Sequence, residues 1–287
     1  MNLFCFGFGQ VARNFVKKLI SENIELKLSF TSRKSKNEID KSFKGNFFKF
    51  DGEFFEKDLI KNLKSADHIL ISIPPVNRED LVINNFSRYL SQIKPKWITY
   101  LSATSVYGNH NGAWVDEKSE TNPTSENGIQ RLVAENLWLS TCKKFNLPIQ
   151  IFRLSGIYSN TNNILQRLKL GTAKIIKKEN HFFSRIHVDD IANILFNSLK
   201  NFKSDEIYNI SDDKPSSSEE VTVYAAKLLK LNIPGEIKIE DIDSKMLQNF
   251  YKDSKKVSNS KMKNFFNYNL KFSSYIEGLN HIRDNSI

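Results

Sequence analysis

Apolar residues recur along the first half of the chain in two alternating rhythms. Short apolar runs at Asn2–Phe6, Leu26–Thr31, Asn46–Phe50, His68–Ile73, Trp97–Ser102 and Ile149–Leu154 read as strands. Between most of them the apolar positions fall at helical spacing, which predicts helices over Gln10–Ser21, Glu56–Leu63, Glu79–Ile93 and Glu126–Phe145. The last follows "NPTS", a run of turn and capping residues, and sets Ile129, Leu132, Val133 and Leu137 on its apolar side. Strands separated by helices of this length predict an α/β fold built on a parallel, doubly wound sheet. After about Gly156 the rhythm becomes irregular, and helices over Asp189–Leu199 and Ser217–Leu231 are the clearer elements.

With 287 residues the chain is long enough for one large α/β unit or two modest domains. Cys5 and Cys142 lie far apart without metal-ligand spacing, so reduced thiols, no metal and a cytoplasmic setting are expected. No export signal and no run of 18 apolar residues is found, so no membrane association is expected. The formal charge of +10 comes from lysines scattered over helices and turns, which reads as solvated surface rather than a nucleic-acid face.

Chemistry enters with "LFCFGFGQVARNF", where Gly7, Gly9 and Ala12 fit G-x-G-x-x-[GA] between a strand and a helix. Gly7 permits the tight turn, Gly9 lets backbone approach a pyrophosphate, and Ala12 lets the helix pack close to its strand. This is the Rossmann signature of dinucleotide binding. The next strand ends in Thr31, Ser32, Arg33 and Lys34, without the carboxylate that accepts from a ribose 2′-hydroxyl in NAD-selective sites. Arg33 can fork onto a 2′-phosphate with Ser32 donating beside it, so NADP(H) is favoured, with NAD(H) possible; the plainer reading is a basic turn.

"SATSVYG" after the fifth strand, "RLVAENLW" on the next helix, "FRLSGIY" and "SRIHVDDIA" then follow in one order. Together they resemble the extended short-chain dehydrogenase/reductases, in their NAD-dependent epimerase/dehydratase branch and its atypical, nucleoside-diphosphate-sugar epimerase-like members. The resemblance implies a dinucleotide-binding Rossmann domain over residues 1–156, also including about 186–204, and a mainly substrate-binding lobe over 157–287. It implies that Gly7, Gly9, Gln10 and Val11 contact the pyrophosphate, that Asp51 lies near the adenine, and that Ser72 to Pro75, Pro74 among them, line the dinucleotide path. Ser155 and Ile157 are then expected at the nicotinamide end. Taken alone, Asp51 reads equally as a turn former and the prolines as a strand end.

The resemblance also implies a catalytic serine, tyrosine and lysine, and here those positions hold Ala103, Asn127 and Arg131. An asparagine amide has no proton to give near neutral pH, whereas Arg131 keeps a cation for the nicotinamide ribose. Thr104 and Tyr107 are the nearby replacement candidates, Tyr107 either as an acid tuned by Arg131 or as a packing residue. His110 on the following loop reads as an ordinary exposed histidine. One of Asp189 and Asp190 is expected to cap a helix. Relatives that handle sugar nucleotides place an arginine where this chain has Phe183, with Arg185 two residues on, which argues against such a substrate. Two function classes stand: an NADP-dependent oxidoreductase or epimerase-like enzyme with rearranged acid–base groups acting on a small molecule, and a non-catalytic NADP(H)-binding sensor or scaffold. Either is expected as a monomer or homodimer.

Overall fold

The expected strands and helices form in the expected order. The structure, a computed structural model, describes residues 1–35, 42–242, 248 and 251–285. The first half runs β1 (Asn2–Phe6), α1 (Gln10–Ser21), β2 (Lys27–Ser32), β3 (Asn46–Lys49), α2 (Lys57–Lys64), β4 (His68–Ile71), α3 (Leu81–Leu90) and β5 (Trp97–Ala103). It continues with β6 (Trp114–Val115), α4 (Glu126–Phe145), β7 (Gln150–Leu154), β8 (Gly156–Tyr158) and α5 (Ile164–Lys169). Then come β9 (Ile175–Ile176), β10 (Arg185–His187), α6 (Val188–Lys200), β11 (Glu206–Ile210) and α7 (Ser218–Leu228). β12 (Glu236–Ile237), β13 (Lys256–Val257), α8 (Ser260–Phe266) and α9 (Tyr275–Asp284) complete the described elements.

Seven strands make one parallel sheet in the order β11-β7-β5-β4-β1-β2-β3. The order reverses around β1, which pairs β2 on one side and β4 on the other, Phe4 lying opposite Ser29 and Ile69. Such a switch point opens a crevice at the carboxyl ends of the strands, so the segments after β1, β2 and β4 are set to line a ligand site. The chain divides into two compact units, one of residues 1–102, 130–153 and 192–208 and one of 103–129, 154–191 and 209–287.

The first unit is held by aromatic and aliphatic side chains from sheet and helices. Phe6 and Phe50 both pack on Phe86, at 5.0 and 5.2 Å between ring centroids, and Tyr100 stacks near Trp138. Each such ring, fully buried, contributes roughly 1.5–3 kcal/mol relative to an exposed one. On α4 the buried stripe is Ala134, Trp138 and Cys142, and Val133, expected on the apolar side, is 40 % exposed. Leu137 packs against the same core from beside this stripe, and the indole of Trp138 is held in it, its Nε1 donating to Asp80 at 2.8 Å. The other oxygen of Asp80 accepts from the Val82 and Ile83 amides, which makes it the N-cap of α3 and starts that helix later than Glu79.

The second unit packs α5, α7 and α9 around Leu165, Leu168, Ala225, Tyr275 and Leu279. Its strands are short parallel pairs, β8 with β10, β9 with β12 and β6 with β13. α7 stops at Leu228 rather than Leu231, because Lys230 enters the left-handed region at φ 56°. Asp190 does not cap a helix. Its carboxylate is buried and accepts from the Tyr268 hydroxyl and the Lys271 and Phe272 amides, tying the approach to α9 onto α6, while Asp189 pairs with Lys271 at 3.3 Å. Among the described residues no helix is long and apolar enough to cross a membrane.

His181 in this unit makes the acid sensitivity of the fold predictable. It is buried against Tyr251, its Nε2 has no partner among the described residues, and burial together with the nearby Lys178 pushes its pKa down to about 4. Between that value and the ordinary 6.5 the unfolded chain binds the proton and the folded chain does not, so stability is present above pH 6.5 and falls as the pH drops. The loss expected by pH 4 is on the order of 2–3 kcal/mol from this group. Urea unfolding from pH 7 to 4 measures it; a slope unchanged in His181→Phe, which preserves the ring stack, shows the assignment to be wrong.

Candidate functional site

In the first unit, β1 delivers Gly7 to the switch point with φ +85°, a conformation that favours glycine. A Cβ there would lie 3.0 Å from Ile73, while one on Gly9 would enter open space. The amide of Gly7 donates to Oγ1 of buried Thr31 at 2.9 Å, which pins the loop to the end of β2. Gln10 and Val11 open α1; no side chain caps that helix and its first turn contains no acid. The positive end of the helix is therefore left for an anion, over a glycine with room beside it. These residues fit a dinucleotide pyrophosphate.

The neighbouring strands add to the same edge. Ser32 ends β2, its hydroxyl accepting from the Lys34 amide at 3.1 Å, and Arg33 is exposed with no ion pair or hydrogen bond among the described residues. Ser72 follows β4 and donates its amide to Phe6 at 2.8 Å, which leads exposed Pro74 and buried Pro75 away from the sheet. Gly7, Thr31, Ser32 and Ser72 thus meet at the ends of three adjacent strands. Asp51, beyond β3, builds a turn by accepting from the Glu53 and Phe54 amides, and these bonds hold its carboxyl below the usual range. One of its oxygens is committed to that turn.

Arg131 lies on α4 in the first unit, half-buried. Its Nη1 donates to the Leu101 carbonyl at 2.7 Å and reaches the Tyr100 hydroxyl at 3.4 Å. The cation is thus braced against the end of β5, and Asp80 lies within its electrostatic reach. Burial raises the Asp80 carboxyl above its ordinary range, with Arg131 among the groups opposing that shift. Neither Asp80 nor this bracing was legible as part of a site; the signal for Asp80 was only an acid placed before the apolar run "LVI".

In the second unit, Ala103 leads into a single 3₁₀ turn over Thr104–Tyr107. Thr104 is half-buried and Asn127 is exposed on the first turn of α4. Gly128 beside it is buried, and a Cβ there would lie 2.6 Å from the Ser105 carbonyl, so the helix approaches this turn as closely as a glycine allows. Tyr107 is fully buried and its hydroxyl donates to Asn209 at 2.8 Å, the arrangement of a packing residue. His110 bonds through Nε2 to the carbonyls of Tyr107 and Glu120, a loop fastening.

Ser155 is buried, with its amide on the Ile210 carbonyl and its hydroxyl without a partner among the described residues. Ile157, next on β8, pairs with Ile186. Phe183 and Arg185 lie along the approach to and start of β10, with the guanidinium 5.7 Å from the Phe183 ring.

Residues 82–211 match the NAD dependent epimerase/dehydratase family. No curated protein matches the chain. Among solved structures, a functionally unknown conserved protein from Silicibacter pomeroyi DSS is 32% identical over 99% of this chain and 98% of that one, with a TM-score of 0.87. The UDP-glucuronic acid 4-epimerase of Bacillus cereus, in complex with UDP-glucuronic acid and NAD, is 19% identical over 99% of both chains, with a TM-score of 0.78. A dTDP-glucose 4,6-dehydratase from Bacillus anthracis, in complex with NAD, is 18% identical over 100% of this chain and 97% of that one, also at a TM-score of 0.78. The last two share the fold. With the glycine turn at the switch point, the sheet order and the ordered motifs from Val82 onward, the chain belongs to the NAD-dependent epimerase/dehydratase family.

Proposed function

We propose that this chain binds NADP(H) in preference to NAD(H) and acts on a small molecule in the cytoplasm, as an oxidoreductase or epimerase-like protein with altered acid–base groups. The observation that carries the cofactor reading is Arg33. It stands at the end of β2, exposed and without a partner among the described residues, beside Ser32 and with no acid in "TSRK". Gly7, Gly9, Gln10 and Val11 would hold the pyrophosphate, Ser32 and Arg33 the 2′-phosphate, Asp51, Ser72 and Pro74 the adenosine side, and Ser155 and Ile157 the nicotinamide side. The nicotinamide supplies hydride transfer. The chain itself supplies binding and orientation: Thr31 fixes the amide of Gly7, and Arg131, braced on Leu101, keeps a positive charge at the end of β5. Thr104 and Asn127 remain the uncommitted polar groups on the substrate side, and neither titrates near neutral pH.

NADPH is expected to bind at least about tenfold more tightly than NADH, since a charge-assisted hydrogen bond is worth on the order of 1.5–3 kcal/mol. Arg33→Ala is expected to abolish the difference. Calorimetric titration of both nucleotides decides it, and equal affinities in the wild type would overturn the reading.

The enclosure of Tyr107 favours a second reading, a protein that binds NADP(H) as a sensor or scaffold and does not turn over. Steady NADPH consumption with any member of a carbonyl panel distinguishes the two. On either reading the chain works without nucleic acid or membrane, as a monomer or homodimer.

A further inference from the structure

The second unit has a pocket that the cofactor and substrate readings leave unused. Its volume is about 490 Å³, and Ser217, Glu219, Glu220, Tyr224, Lys227 and Tyr275 are among its lining. None of these residues is expected to hold cofactor or substrate. One wall is α7, on which Glu220, Tyr224 and Lys227 recur at i, i+4 and i+7 and so share a face. Tyr275, at the start of α9, forms the other, and the volume suits a small molecule.

The rings and carboxylates of this pocket are fixed in place. Tyr224 and Tyr275 meet edge to face at 80°, with centroids 5.6 Å apart, and make an aromatic corner. The Tyr275 hydroxyl donates to Glu220 at 2.8 Å, and the Asn280 amide donates to the Tyr224 hydroxyl at 2.8 Å, so both phenols are tied at their polar ends. Ser217 caps α7 by accepting from the Glu220 amide, which sets Glu219 and Glu220 in the first turn, where the helix favours negative charge. Against the pull of burial, bonds from Tyr275 and Lys214 hold the Glu220 carboxyl below its usual range.

The chain's own Lys214 shows what this corner takes. Its ammonium lies 3.1 Å from Glu220 and 5.2 Å from the centre of the Tyr275 ring, a charge-assisted contact and a cation–π contact at once. The Lys214 side chain is 44 % exposed, so it can exchange this position for water at little cost. Glu219 is paired more loosely: Lys177 stands 3.9 Å from it and is held at 2.6 Å by Glu236.

We propose that this pocket binds a small primary ammonium compound with an apolar body, its ammonium replacing that of Lys214 between Glu220 and Tyr275 and its body lying on Val223 and Tyr224. One ammonium replaces another, so the charge balance of the pocket is unchanged. An anion is the poorer guest, because the corner is built from carboxylates and Lys227 stands about 10 Å further along the α7 axis.

Titrating 4-fluorophenethylammonium into the full-length protein, with its fluorine signal followed by NMR, tests the proposal. A saturable shift is expected, with 4-fluorophenethyl alcohol and 4-fluorophenylacetate each binding at least about tenfold more weakly for want of the charge-assisted bond. Glu220→Gln is expected to weaken the ammonium compound at least about tenfold. Lys214→Ala removes the internal competitor and is expected to tighten binding at least about threefold, a gain that loss of a merely structural contact would not produce. No saturable shift in the wild type, alcohol or carboxylate binding as tightly as the ammonium compound, unchanged affinity in Glu220→Gln, or unchanged or weaker binding in Lys214→Ala each overturns the proposal. Should one variant fail to fold, the other decides together with the wild-type comparison of the three probes. No nucleotide is present, so the outcome is read separately from the NADPH preference.

Discussion

Replacing Glu135 with alanine is expected to destabilise the protein by about 3–5 kcal/mol, the largest single-site effect on stability that the structure predicts. Glu135 lies on α4 and is 1 % exposed; its carboxylate accepts from Nε of Arg153 on β7 at 3.1 and 3.2 Å and from Nη2 at 2.8 Å. Arg153 is itself only 4 % exposed. A bidentate pair in a dry interior has little net advantage over apolar side chains of the same volume, because both ions were removed from water. Removing one partner is different, since it leaves the other charge buried without its match. Glu135→Ala should therefore cost far more than the double change Glu135→Leu with Arg153→Met, which removes both charges and retains most of the volume. Urea denaturation of the wild type, the single variant and the double variant measures this, with the m-value as a check that the transition remains comparable. A double variant as unstable as Glu135→Ala would show that packing, not charge pairing, is at stake.

The second large effect concerns catalysis. The wild type is expected to bind NADPH and yet show no tyrosine-dependent carbonyl reduction, and Ala103→Ser combined with Asn127→Tyr is expected to raise that activity above wild type on the order of 10²-fold or more. Positioned acid–base groups contribute about 10²–10⁴-fold each, and the two positions to which the sequence resemblance assigns them carry alanine and asparagine. Asn127 is exposed on the first turn of α4, where a larger side chain meets no packing barrier, whereas Gly128 beside it has no room for a Cβ. Tyr107 cannot stand in, because its hydroxyl is enclosed and bonded to Asn209. Arg131 already spends Nη1 on the Leu101 carbonyl, so adding Arg131→Lys to the double variant is expected to raise the activity further by releasing the cation. NADPH consumption over a carbonyl panel reads all of these. Robust wild-type turnover that survives Tyr107→Phe and falls on Asn127→Ala would assign the mechanism to Asn127 and sink the idea.

The sequence by itself determined the layered fold and the glycine turn at its switch point, since both are written in local signals. Alternating apolar runs and helical stripes are set by bond geometry and burial, so β1, α1, β2 and α4 were legible within a residue or two. Gly7 was legible because a tight turn at positive φ needs glycine. What tertiary structure alone decided is where polar side chains spend their hydrogen bonds. Tyr107 and Asn209 are 102 residues apart, Asp80 and Trp138 58, and Arg131 and Leu101 30, and no local pattern encodes such partners. The same holds for Asp190, which looked like a helix cap and instead fastens a segment some 80 residues further along the chain. Capping is a property of neighbouring residues and can be read along the chain; the burial of a carboxylate or a phenol depends on which distant element closes over it, and that is settled only when the core packs.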